Sequence, residues 1–178
     1  MLDVDCDIVG GDWDEDADWE TLAETAVRAA LDGAGQGRLV QLSDALVEVS
    51  VRLTDDAEMQ RLNRDYRGKD KPTNVLSFPM HAPDDLERWL AAGETDLLLG
   101  DLALGAETVT READEKGISV DAHMLHLMVH GTLHLLGHDH LDDETAEAME
   151  ALETRILAGL GIANPYAETG WAAVDERQ

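Results

Sequence analysis

The chain holds a single cysteine, Cys6, and only 13 lysines and arginines against 39 aspartates and glutamates, for a formal net charge of −26. One thiol excludes an internal disulfide framework and any zinc ribbon built from several cysteines. No apolar run approaches the ~20 residues that a bilayer-spanning helix needs. The first residues, Met1-Leu-Asp-Val-Asp-Cys-Asp7, lack the basic start and apolar stretch of a secretory signal, so the expected compartment is the cytoplasm, with no membrane partner. The shortage of cations argues, at first sight, against nucleic acid as a partner, because phosphate repels carboxylate.

What is present redirects that argument. The 178 residues are 44% apolar, enough for a folded core despite the acidity, and the length favours one domain, expected over residues 1–163 with a C-terminal tail at 164–178 anchored, if at all, by Trp171. The charge is unevenly spread. Arg61, Arg64, Arg67, Lys69 and Lys71 face only Asp65 and Asp70, so residues 61–71 carry +3 and the remainder −29. Two readings fit this segment: a local cationic site on an acidic body, or a solvated helix end with ion pairs.

Periodicity predicts strands at 2–9, 46–53, 74–78 and 96–104, and helices at 19–31, from a Thr54 cap to about 65, at 106–116, at 120–136 and at 143–160. Residues 81–96 read as a surface excursion with a helical turn around 86–90. Strands interleaved with helices imply an α/β or α+β fold, with a small mixed sheet of about four strands packed against helices.

The chemistry concentrates in the 120–136 helix and the loop after it. Six of the seven histidines lie at 123, 126, 130, 134, 138 and 140. His126, His130 and His134 share one helical face, while Leu125, Leu127, Met128, Val129, Leu133, Leu135 and Leu136 make the other faces apolar, as in a buried central helix. Buried imidazoles need partners, and a metal supplies one. Gly137 is suited to reverse the chain in a left-handed conformation, which would bring His140 back beside His130 and His134. Three imidazoles with no thiolate nearby suit zinc and leave a fourth position open, as at a catalytic rather than a structural ion. The alternative is a set of histidines paired with carboxylates. His126 reads either as a support for the ligands or as a packed residue, Asp139 as an acceptor for an imidazole or a turn cap, and His81, His123 and His138 as surface or loop residues. The position after the first ligand, where a His-Glu-x-x-His peptidase carries its general base, is Gly131.

The run His130-Gly-Thr-Leu-His-Leu-Leu-Gly-His-Asp-His140 resembles the YbeY family of endoribonucleases and rRNA maturation factors, whose signature is His-Gly-x-Leu-His-Leu-x-Gly-Tyr-Asp-His. Two further blocks fit in the same order: Leu62-Asn-Arg-Asp-Tyr-Arg-Gly-Lys-Asp-Lys-Pro-Thr-Asn-Val-Leu-Ser-Phe78 and Leu99-Gly-Asp-Leu-Ala-Leu104. The resemblance covers about residues 46–166, and its one departure in the signature is His138 in place of Tyr. It implies a single α/β domain, one zinc ion on His130, His134 and His140, and cleavage of single-stranded RNA in maturing the 3′ end of small-subunit (16S) rRNA and in ribosome quality control. DNA is not an expected substrate.

The family's arginine falls on Arg67, inside the cationic segment. RNA cleavage builds negative charge at phosphorus, and a guanidinium can bind two phosphate oxygens at once. Arg67 is therefore expected to contact the scissile phosphate, with His130, His134 and His140 forming the rest of the catalytic set. Arg61, Arg64, Lys69 and Lys71 are expected to hold or steer the strand. Tyr66 reads as packed or as a stacking platform for a base, and Asp101 as near the site or only closing a turn. The competing reading is a non-catalytic ribosome assembly factor with a structural zinc, bound to the small subunit or a ribosomal protein. A metallopeptidase is third.

Overall fold

Among the described residues, four strands form one sheet in the order β1-β2-β4-β3: β1 (Leu2–Ile8), β2 (Leu46–Thr54), β3 (Val75–Pro79) and β4 (Asp96–Gly105). β1 runs parallel to β2 and β2 to β4, whereas the edge strand β3 is antiparallel to β4. The fold, a computed structural model describing residues 1–41, 46–92, 96–139 and 142–166, is mixed α/β, as the interleaved pattern predicts.

Side chains alternate across the sheet. Val49, Val51, Leu102 and Leu104 point into the main core, where α1 (Trp19–Gly33) and α6 (Val120–Leu135) pack. On the opposite face, α3 (Asp56–Arg67) covers the β3–β4 half through Met59 and Leu62 against Leu76, Phe78 and Ala103. The β1–β2 half of that face carries Asp3, Asp5, Asp7, Glu48, Ser50 and Arg52 and opens to solvent. α5 (Ala106–Lys116) and α7 (Asp143–Gly159) flank α6.

Three expectations change in detail. The cap of α3 is Asp55, whose carboxylate accepts from Glu58 N at 2.8 Å, because Thr54 stays in β2, buried and paired with Gly105. The excursion holds a full helix, α4 (Pro83–Ala92), which buries Leu86 and Trp89; the Trp89 indole donates to Asp96 O. A short helix that periodicity cannot register, α2 (Arg38–Gln41), buries Leu39.

α6 reaches the sheet at Gly131. A Cβ there would stand 2.8 Å from Leu102 Cδ2 and 3.2 Å from Ser77 Oγ, which itself donates to Gly131 O. The missing side chain therefore serves the helix–sheet contact, the close approach of a neighbouring strand. Gly131→Val should cost about 1–3 kcal/mol by overpacking. The measurement is a urea midpoint at constant slope; an unchanged midpoint would show that α6 has room to move off the sheet.

Candidate active site

Ser119 starts α6, its hydroxyl accepting from Ala122 N, and Gly137 at φ 93° closes it, with His138 N bonded to Leu133 O. The helix is buried nearly all round, and His123, His126, His130 and His134 are each 8% exposed or less. Burial at that level makes an imidazole without any polar partner costly.

His126 and His130 share a partner in Glu153 of α7, a fully buried carboxylate. Its Oε1 lies 2.5 Å from His130 Nδ1, its Oε2 lies 3.1 Å from His126 Nε2, and the Tyr166 hydroxyl donates to Oε2. Burial by itself would raise the Glu153 carboxyl; the His130 and His126 imidazoles outweigh it and hold the group well below the usual carboxylate range. Burial pushes His126 down to about 4 despite the same carboxylate, so this ring is neutral at neutral pH. An ionised carboxylate only accepts, so this hydrogen bond is donated by His130 Nδ1, and in the neutral ring Nε2 is then the nitrogen that carries the lone pair. That Nε2 lies 3.1 Å from His134 Nε2.

The pair suits a metal. Two nitrogens held ~2.05 Å from one zinc ion at the tetrahedral angle stand ~3.3 Å apart, close to the observed separation. Two ligands do not complete a site: among the described residues, no group of three or more His, Cys, Asp or Glu is disposed to hold a metal ion. The third expected ligand, His140, lies outside the described residues, as does Trp171. Asp139 and His138 are half-buried in the turn, and burial lowers the His138 imidazole. Cys6, on β1, is pushed up to about 12 by burial first and then by Asp7, Glu20 and Asp5, so its thiol keeps its proton and offers no thiolate.

The cationic segment approaches the sheet from the other face. α3 ends at Arg67, with Gly68 left-handed at φ 71°, and Tyr66 packs edge-on against Phe78 at 4.7 Å. Ser77, the preceding residue of β3, contacts Gly131 on the α6 side. Arg67 and His130 thus sit on elements that grip the same edge strand at adjacent residues, from opposite faces. Arg67 and Lys69 are half-buried, and Lys71 is exposed. Arg61 pairs with Glu58 at 3.1 Å, and Arg64 lies 3.2 Å from Asp65 and 3.9 Å from Asp70, the ion pairs expected of a solvated helix end. Tyr66 is 58% exposed despite its packing.

Residues 12–161 match the family model described as Endoribonuclease YbeY. The chain belongs to the YbeY family. Proteins named Endoribonuclease YbeY are 56% identical in Sphingopyxis alaskensis, over 88% of this chain and 92% of that protein, and 42% identical in Sinorhizobium medicae, over 94% and 96%. The solution structure of TM1509 from Thermotoga maritima shares the fold at a TM-score of 0.53 and 24% identity, over 88% of this chain and 87% of that one.

Around α6 of this YbeY-family chain, three contacts escape the sequence, one of them outside the histidine pair. His123, expected at the surface, is fully buried because Glu112 of α5 meets its Nε2 at 3.0 Å and also accepts from Asn74. Glu153 escapes because its partners lie 23 and 27 residues away. Its signal is a carboxylate on the apolar stripe of α7, in helical register with Ala146, Met149, Ile156 and Leu157. Tyr166 falls in the expected tail, yet its hydroxyl is bonded into the site.

Proposed function

We propose that this YbeY-family chain is a zinc-dependent endoribonuclease that cuts single-stranded RNA, with one ion on His130, His134 and His140. Its proposed substrate is the 3′ end of small-subunit (16S) rRNA, cleaved in the cytoplasm as part of ribosome maturation and quality control. The observation that carries the reading is the geometry at His130, whose Nδ1 lies 2.5 Å from Glu153 Oε1 and whose Nε2 lies 3.1 Å from His134 Nε2. No helix among the described residues is long and apolar enough to cross a membrane.

When bound, zinc supplies Lewis-acid polarisation of a phosphoryl oxygen. The chain's own residues do the rest. Arg67 binds the scissile phosphate through its planar fork and neutralises charge as it builds. Lys69 and Lys71, with Arg61 and Arg64 to the extent that their acidic neighbours release them, guide the strand to the β3 edge. The acidic remainder of the surface repels RNA elsewhere, so bare RNA binds weakly and with strong salt dependence.

The test is metal removal. Protein stripped with a chelator should lose cleavage of a single-stranded RNA substrate and recover it when one equivalent of zinc is restored; full turnover by the stripped protein overturns the reading. The engagement of Arg61 and Arg64 by carboxylates favours a second reading, a non-catalytic assembly factor with a structural zinc. That protein would bind the small subunit or a ribosomal protein stoichiometrically and show no turnover on naked RNA.

A further inference from the structure

α6 contains its own internal comparison. Three of its histidines meet carboxylates: His123 with Glu112, and His126 and His130 with Glu153. His123 and His126 present Nε2, the outer nitrogen, to the carboxylate. A core histidine paired this way spends its reach on the acid. His130 alone presents Nδ1, the inner nitrogen, which turns its outer nitrogen towards His134. With the acid on Nδ1, the outer nitrogen of this ring, alone among the three, is left aimed at a neighbouring imidazole.

The two oxygens of Glu153 also divide their work. Oε1 serves His130, while Oε2 takes the Tyr166 hydroxyl and His126 Nε2, groups from a segment beyond α7 and from the preceding turn of α6. His126 Nε2 and the Tyr166 hydroxyl are also 3.1 Å apart, so the anchoring side is closed on itself. We propose that Glu153 is the positioning residue of the metal site, fixing the ring and tautomer of His130 through Oε1, and that Tyr166 holds this carboxylate in place through Oε2. The inference rests on the metal reading above and extends it to two residues outside the histidine signature. It makes the segment after α7 part of the site.

The experiment measures metal affinity in the full chain, by Zn²⁺ competition with a chromophoric chelator and by the visible absorption bands of Co²⁺, with circular dichroism and a melting curve on each metal-free protein. Glu153→Gln keeps the shape and an acceptor oxygen but removes the charge, and should weaken Zn²⁺ binding about 10–100-fold and shift the Co²⁺ bands. Tyr166→Phe removes one anchoring bond and should weaken binding several-fold in the same direction. Glu112→Gln alters the equivalent buried pair at His123 and should leave affinity and spectrum unchanged. Wild-type affinity and spectrum in a folded Glu153→Gln protein overturn the proposal. If that variant does not fold, Tyr166→Phe decides, and unchanged binding there overturns it equally. A loss as large in Glu112→Gln would show a general effect of core pairing and also sink it. Failure of the wild type itself to bind Zn²⁺ or Co²⁺ is a different result, which removes the metal reading rather than the assignment of Glu153 alone.

Discussion

His134→Ala should lose zinc and RNA cleavage together, with turnover falling at least ~10³-fold, since the removed group is one of the three proposed ligands. His134 is the outer member of the imidazole pair, on the last turn of α6, and its Nε2 is the atom that meets His130 Nε2. Its side chain is 8% exposed, so truncation leaves a small cavity at the helix end rather than in the middle of the core. The metal-free fold should therefore survive, and metal content by atomic emission can be read beside cleavage on the same preparation. A variant that holds one zinc and cleaves like the wild type removes His134 from the site. Loss of zinc accompanied by unfolding, with a wild type inactive on RNA, would instead support the structural-zinc reading.

Arg67→Glu should keep the metal and lose the reaction, by about 10²–10³-fold in kcat/KM, the scale on which single groups that stabilise transition-state charge act. The separation of the two effects follows from the architecture. Arg67 belongs to α3, on the face of the sheet opposite α6, the helix that carries the proposed ligands His130 and His134. Arg67→Lys should fall between the two, because an ammonium offers a point charge in place of a two-pronged contact. Normal cleavage by Arg67→Glu would place the phosphate elsewhere, and loss of zinc in that variant would mean that α3 supports the histidines through β3. Steady-state cleavage of a short single-stranded RNA, with zinc content measured in parallel, separates these results.

The sequence shows clearly whatever is local and periodic. The strands, α1, α6 and α7 follow from spacing alone, and the reversal at Gly137 from the need for a positive φ. Capping is less legible: Thr54 and Asp55 both suit the start of α3, and only the pairing of Thr54 with Gly105 in the sheet decides between them. Least legible are contacts between helices distant in sequence. His123 looks like a loop residue until Glu112 stands opposite it, and Glu153 looks like one acid among many until α7 lies along α6. A buried carboxylate is visible in a sequence only as a violation of an apolar stripe. In a chain with 39 acids, that violation is easily read as surface charge.

β1 closes one side of the sheet and has no neighbour beyond it among the described residues, and its outward positions are Asp3, Asp5 and Asp7. A bare strand edge is a template for a second chain. Here any second copy that tried to add its own β1 would bring three more carboxylates into line with these, so the molecules hold each other off by charge. The same acidity that, on the proposed function, would confine RNA to one part of the surface therefore also works against chain-to-chain pairing along this edge.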